Sequence, residues 1–504
     1  MSSPSILLGL TLLATLSPLL TFAHLWQVKE WRWDRLREHL WSEGYVRQII
    51  GTLRPLLFVL FGALYLVEAL PKESWPASLL IAFLALSVVQ VIMHRQPSPV
   101  WTQKAVALCA TALIIIFAAA LVMDPVTLPI LPLLAFLALI VAWTLWWPID
   151  RALKRRVFAR ASATRNRFDA LTVIGITGSV GKSTTKELLA CVLADRHPLT
   201  TPAYVNTEMG VAQWITQELP RHPDPTILIV EMGAYRRGEI RLLASVIRPT
   251  VGIITFIGSQ HIGLFGSQEA LSQAKAELLE SLPADGHAFL NADCSLCLKL
   301  KDRCKCPLTV VGTGGPADLE AYEIEETTGG IRFRAGSVLF QLPLHGTHNV
   351  TNVLLAIAVA ESLGMQREAI AKKLATFSPM HHTFSVREDH GVTILDDTHN
   401  ASPTSVEAAI AWTRGQPAES KILLFSGLIE LGEELDRTHE ELGSLAAPTF
   451  QRVIFLNHRS ARPFTKGFGR SVEILSKISQ KVTPGSLLVC VGRIPQATIA
   501  RLLP

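Results

Sequence analysis

The chain has 504 residues, 49% of them apolar, with a formal net charge of +5 and a mean hydropathy of +0.32. That length excludes a single small domain and leaves room for two or three. Seven cysteines suggest no disulfide framework, and the positive charge lies mostly beside apolar runs, so nucleic-acid binding is not needed to explain it.

The apolar excess is local. Nine of the 11 tryptophans precede residue 150. Five runs approach the length that crosses a bilayer: Ser5–Phe22, Pro55–Leu70, Ala77–Met93, Ala105–Met123 and Leu128–Trp147. The second and third are short and could pair as a hairpin. Met1-Ser-Ser-Pro-Ser5 carries no basic residue, which favours a retained anchor over a signal peptide. Lysine and arginine concentrate in 24–48, in 94–104 and after 150, whereas 71–76 and 124–127 hold only Lys72 between them. The positive-inside rule then puts the N-terminus outside and 151–504 in the cytoplasm. Between the first two runs, Leu25–Trp41 mixes Trp and Leu with Arg at helical spacing, as in a helix lying in the membrane interface.

Residues 151–170 read as a basic linker. Beyond it, apolar strand-like runs alternate with helical segments: Leu171–Ile176, Thr226–Glu231, Thr250–Phe256, His287–Leu290 and Leu308–Val311, with helices such as Thr184–Leu193 and Ser267–Leu282 between them. This alternation predicts a doubly wound, mostly parallel sheet. A second unit begins near 378, with strands at Val392–Asp396, Ile422–Ser426, Arg452–Leu456 and Ser486–Val491. Cys294-x-x-Cys297 with Cys304-x-Cys306 leaves a tetrahedral zinc site open beside the reading of ordinary reduced thiols.

Gly175-Ile-Thr-Gly-Ser-Val-Gly-Lys-Ser183 joins the first of these strands to the first helix. Strand, glycine turn and helix together aim backbone N–H groups and a positive helix end at a phosphate. Gly178, Ser179, Val180, Gly181 and Thr184 would line that cradle, Lys182 would reach the terminal phosphates, and the Ser183 hydroxyl would sit on Mg²⁺. Ile176 stands where a standard Walker A loop has its first glycine. Glu231, at the end of an apolar strand, supplies the carboxylate that Mg²⁺ requires.

In order along the chain follow Thr185-Lys-Glu187, Asn206-Thr-Glu-Met-Gly-Val211, Glu231-Met-Gly-Ala234, His261-Ile-Gly-Leu-Phe-Gly-Ser267 and Ala274-Lys-Ala-Glu277. Gly346-Thr-His-Asn349-Val-Thr-Asn352, Asp396-Asp-Thr-His-Asn-Ala-Ser-Pro403 and Gly427-Leu-Ile-Glu-Leu-Gly432 come after them. With the phosphate loop, this series resembles the Mur ligase family over nearly all of 171–440, and most nearly its member that adds D-alanyl-D-alanine to a muramyl peptide. The resemblance implies an ATP- and Mg²⁺-dependent carboxylate–amine ligase working through an acyl phosphate. It implies catalytic roles for Lys182, Lys275 and His261, and metal contacts from Ser183, Glu231, His261 and a CO₂-derived carbamate on Lys275. Asn349 and Asp397 would contact the nucleotide, and Asn206, Thr207, Glu208, His399 and Asn400 would lie near substrate.

The implied architecture is a membrane region (1–150), the linker (151–170), a central ATP-binding domain (171–377) and a smaller Rossmann-like α/β domain (378–504). Partners would be a cell-wall precursor, soluble or lipid-linked, an amino acid or dipeptide, and the bilayer. The chain departs from the family in four places, one being Tyr235-Arg-Arg237 where an Asn-His-Pro-like turn is usual. The membrane region stands where a uridine-nucleotide domain is usual. Met380-His-His-Thr-Phe384 lacks the usual arginine, and Val491-Gly-Arg-Ile-Pro495 replaces a dipeptide-binding stretch. A ligase for another polymer or carrier (polyglutamate, capsule or cyanophycin), a P-loop-driven transporter and a non-catalytic scaffold are the alternatives.

Overall fold

In a computed structural model, described residues are 4–43, 53–69, 71, 73–222, 224–258, 262–327, 329–399, 401–429, 431–456, 458–477 and 480–504. The chain forms two compact units, Met1–Arg155 and Arg156–Pro504.

The first unit is helical: α1 (Pro4–Val28), α2 (Trp33–Glu43), α3 (Leu53–Leu66), α4 (Trp75–Ile92), α5 (Gln103–Val122) and the start of α6 (Ala135–Arg165). Among the described residues four helical stretches are long and apolar enough to cross a membrane: α1, α4, α5 and the continuous Pro125–Arg165. The second expected run, already short in the sequence, is the exception. α3 has 14 residues, about 21 Å at 1.5 Å per residue, against a hydrocarbon core of about 30 Å. The last run starts differently too. Pro125, Pro129 and Pro132 remove amide donors, so Pro125–Leu134 is a 3₁₀ stretch and α6 begins only at Ala135. The expected interfacial helix begins at Trp33, because α1 continues to Val28 and Glu30 and Trp31 break the chain at φ 58° and 56°.

The helix ends sort into two sets. His24 Nδ1 lies 2.9 Å from Ser98 O, just past α4, and Lys104 Nζ lies 2.7 Å from Asp150. At the other end the Trp75 indole donates to Val126 O at 3.1 Å. α1, α4 and α6 therefore run one way and α5 the other. Trp26 is fully buried, its ring 5.3 Å from that of Trp143. The outside is apolar: Val59, Ile81, Ile114, Leu121, Leu137 and Leu145 are all exposed. A water-facing bundle would reverse this pattern.

The 151–170 segment is helical as far as Arg165. Ala161, Val157 and Phe158 join a core with Val211, Leu228 and Ile247. The second unit then builds two sheets. The first has nine strands in the order β2-β3-β1-β4-β5-β6-β7-β8-β9. They are β1 (Thr172–Thr177), β2 (Leu199–Thr200), β3 (Ile227–Glu231), β4 (Val251–Ile254), β5 (His287–Asn291), β6 (Leu308–Gly312), β7 (Leu319–Thr327), β8 (Gly330–Ala335) and β9 (Val338–Leu342). Strands β1 to β7 pair in parallel, and β8 and β9 add an antiparallel edge. Ile227, Leu228, Ile229 and Val230 are all buried, as a parallel strand covered on both faces requires.

The second sheet orders β10 (Ser385–Asp389), β11 (Val392–Asp397), β15 (Leu487–Val491), β12 (Lys421–Phe425), β13 (Arg452–Phe455) and β14 (Glu473–Ile474). Only the β10–β11 pair is antiparallel. The sheets are tied by Glu326 on β7. Its carboxylate accepts the Trp412 indole N–H at 3.1 Å and the Gly346 N–H at 2.9 Å, and lies 2.8 Å from His345 Nδ1.

Candidate active site

The chain leaves β1 toward β3 on one side and toward β4 on the other, so the carboxyl end of β1 is the crevice where such sheets bind ligands. The glycine loop lies there, followed by α7 (Lys182–Val192). A Cβ on Gly178 would meet Thr255 Oγ1 at 2.0 Å. Gly181, at φ 86°, precedes the helix where a Cβ would meet Asn352 Oδ1 at 2.4 Å. The loop is pinned from behind: Ser179 N donates to Phe256 O at 2.6 Å, and Gly258 N donates to Ser179 Oγ at 3.1 Å. The Thr255 hydroxyl donates to Val180 O. Thr184 lies in the first turn of α7.

Lys182 Nζ donates to Gly178 O and Ser179 O at 2.9 and 3.1 Å. Lost solvation lowers its pKa, with Glu231 opposing. Ser183 Oγ donates to Glu231 Oε2 at 2.8 Å, Asn206 Nδ2 donates to Glu231 Oε1 at 3.0 Å, and Glu231 N donates to Thr201 Oγ1 at 3.1 Å. A hydroxyl and a carboxylate oxygen in contact beside a phosphate loop are hard donors that fit a divalent cation such as Mg²⁺.

Lys275 lies on the helix Gln268–Glu280 and is 3% exposed. Burial pushes its ammonium down to about 7. The Lys182 charge adds to this, and Glu239, Glu231 and Glu277 oppose it. Lys182, Ser183, Asn206, Glu231 and Lys275 thus converge. Thr207 caps the helix Glu208–Glu218 by accepting Gly210 N at 3.3 Å, which orients the segment holding Asn206 and Glu208.

The second sheet contributes from above. His399 is drawn below its usual pKa by burial, and it senses both Glu231 and Lys182. Its ring stacks on Tyr204 at 4.8 Å and 15°. Asp397 is buried and accepts Phe384 N at 3.2 Å, while its Oδ2 has no partner among the described residues. Burial, with the neighbouring Asp396 charge, pushes its pKa up to about 7. Asn349 is placed one layer behind the loop: its amide donates to His345 O and accepts from Asn352 Nδ2. His261 and Asn400 lie outside the described residues.

Thr201 and Thr255 were not readable as site residues, and neither was the contact of Asn352 with the loop, because each acts by touching a chain-distant partner. Asn352 alone was signalled, by its place in the Gly346–Asn352 motif. The zinc alternative finds no support in the geometry. Cys294 Sγ donates to Ile257 O, Cys304 and Cys306 sulfurs sit 3.3 Å apart, and among the described residues no three His, Cys, Asp or Glu converge as metal ligands.

Residues 176–360 match the family model described as the Mur ligase middle domain. The chain is 35% identical over 285 residues to the UDP-N-acetylmuramoyl-tripeptide--D-alanyl-D-alanine ligase of Synechocystis sp., covering 56% of this chain and 61% of that one. It is 32% identical over 334 residues to the protein of that name from Bacillus subtilis, covering 63% and 72%. The crystal structure of MurF ligase from Thermotoga maritima in complex with ADP matches at a TM-score of 0.61 and 26% identity, over 69% and 82% of the two chains. The chain spans about three fifths of the length of the first of these relatives.

Proposed function

The chain belongs to the Mur ligase family, and from that we propose that it is an ATP-dependent carboxylate–amine ligase, adding D-alanyl-D-alanine to a muramyl-peptide precursor. We further propose that its N-terminal helices hold it in the cytoplasmic membrane. The observation that carries the ligase reading is the contact of Ser183 with Glu231 beside Lys182 and Lys275.

In this reading a substrate carboxylate attacks the γ-phosphorus of ATP, ADP leaves, and an acyl phosphate forms. An amine then attacks the acyl carbon, inorganic phosphate leaves, and the amine loses a proton. Lys182 turns from the Gly178 and Ser179 carbonyls to the transferred phosphoryl, where charge spreads over its oxygens. The loop N–H groups, aligned with α7, hold the remaining phosphate oxygens. Ser183 and Glu231 would hold Mg²⁺, which neutralises phosphate charge when bound. Asn206 holds Glu231 in place. The depressed pKa leaves about half of Lys275 uncharged near neutrality. An uncharged amine can add CO₂ with loss of a proton, giving the carbamate the family reading expects. His399 and Tyr204 close the cleft and keep water from the acyl phosphate.

The membrane reading is supported by the apolar exterior of the first unit and by the way basic loops gather at one helix end. It places 156–504 in the cytoplasm and the N-terminus outside, with α3 as a short fifth crossing. A second reading keeps the ligase and gives it a lipid-linked acceptor. It is favoured by the apolar unit that directly precedes the ligase unit.

The test is Lys182→Ala in the full chain, with ADP release and product mass followed for UDP-linked and lipid-linked muramyl tripeptide plus D-alanyl-D-alanine. Loss of acceptor-dependent ADP release is expected. Undiminished turnover overturns the reading.

A further inference from the structure

The first unit holds a cation that the ligase chemistry does not use. Arg54, in the first turn of α3, points its guanidinium into the helical bundle. Its Nη2 donates to Ser17 Oγ at 2.8 Å, Ser87 Oγ at 3.2 Å and Gln90 Oε1 at 3.2 Å. Ser17 Oγ also donates to Gln96 Oε1 at 2.6 Å, and Gln96 Nε2 reaches Thr21 Oγ1 at 3.1 Å. Each of these partners is neutral. Among the described residues Arg54 makes no ion pair, and its buried Nε has no partner.

A guanidinium inside an apolar bundle with no counter-charge among the described residues is costly, and such residues face ligands or pathways more often than they serve packing. Helix–helix tying is the alternative, but it needs no charge: a glutamine would bridge the same hydroxyls. A planar, permanently charged fork matches a phosphate, which it can hold with two parallel bonds. The neighbouring Ser17 and Ser87 hydroxyls add donors that can turn toward the same group.

Two features say where that phosphate comes from. The cluster lies toward the end of the bundle where α1 and α4 finish, the end at which Lys104 meets Asp150, six residues before Arg156 in the chain. One helical turn before Ser17, an apolar groove of about 270 Å³ opens between Leu12, Leu13 and Leu16 of α1 and Leu113, Ile114 and Phe117 of α5. A polar head site with an apolar groove one turn away on the same helix suits a molecule with a phosphate head and a hydrocarbon tail.

We propose that Arg54, with Ser17, Ser87, Gln90 and Gln96, binds the phosphate group of a membrane lipid that presents the acceptor to the ligase unit. This rests on the reading of the first unit as membrane-spanning, and it makes the acceptor a lipid-phosphate-linked carboxylate.

The experiment uses the full chain in nanodiscs of phosphatidylcholine, with a long-chain polyprenyl phosphate, the matching polyprenol, phosphatidylglycerol and inorganic phosphate as probes, read by native mass spectrometry. Saturable binding of the polyprenyl phosphate but not the polyprenol is expected. Arg54→Gln should weaken it by roughly tenfold to a hundredfold, and Arg54→Lys by less. Equal affinity in Arg54→Gln, or equal binding of polyprenol, overturns the site. Equal competition by phosphatidylglycerol assigns the phosphate to bulk lipid and overturns the acceptor role. Should Arg54→Gln fail to fold, Arg54→Lys and the Ser17→Ala, Ser87→Ala double variant give the same comparison. ADP release in the same samples reports the ligase reading separately, and release of the chain from membranes without detergent would sink the membrane reading and this site with it, leaving the ligase reading in place.

Discussion

Replacing Lys275 with methionine should stabilise the protein while abolishing turnover. The two side chains are similar in length, and the site is almost closed to water at 3% exposure. Burial lowers the ammonium from an ordinary value of 10.5 to about 7. That difference corresponds to roughly 5 kcal/mol of disfavoured charge. Between pH 7 and 10.5 the unfolded chain therefore binds a proton that the folded chain does not, so wild-type stability rises with pH through this window. Methionine carries no such penalty. The stability gap in favour of Lys275→Met should thus be largest at pH 7 and below, and should shrink by about 1.4 kcal/mol per pH unit above it. Between pH 7 and pH 9 the loss is about 2.5 kcal/mol. For a unit of about 350 residues that equals about 3 °C of transition temperature. Calorimetry of the ligase transition in the detergent-solubilised full chain, at both pH values, measures it. A gap that does not change with pH would refute the uncharged, buried lysine and with it the route to a carbamate.

Gly178→Ala should cost at least about tenfold in nucleotide affinity, since its Cβ would sit 2.0 Å from Thr255 Oγ1 and the loop must move off its backing. Titration with a fluorescent ATP analogue checks this, and wild-type affinity counts against a tightly backed loop. Glu326→Ala removes the acceptor shared by the Trp412 indole and the Gly346 amide, and should destabilise the ligase unit by about 2–3 kcal/mol, read as a lower transition temperature. The Asp397 carboxyl, raised from 3.8 to about 7, keeps its proton longer when folded, so wild-type stability falls as pH rises through that range. Asp397→Asn should therefore gain on wild type by about 1.4 kcal/mol per unit between pH 5 and pH 7 and level off above, as calorimetry at three pH values would show.

The sequence by itself determined the apolar, helical character of the first 150 residues and the place of the glycine loop between β1 and α7. Runs such as Ile227–Val230 are apolar at every position and stop at a carboxylate, so strand, burial and the place of Glu231 at the strand's end were all written locally. The Gly178 and Gly181 spacing likewise fixed the loop, because only glycine tolerates the approach of Thr255 and Asn352. The β7–β9 edge was missed because Glu320, Tyr322 and Glu323 face solvent and leave a weak apolar period. The 3₁₀ start before α6 was misjudged because hydropathy counts apolar residues without asking where proline removes an amide. Only the tertiary structure could depress Lys275, since its shift arises from closure of the core and from Lys182, 93 residues away in the chain. It alone brought His399 over Tyr204 and set Arg54 among neutral partners from α1 and α4. A local pattern specifies what a residue prefers, whereas a pKa, a stacked ring or an uncompensated charge depends on which distant groups replace water around it.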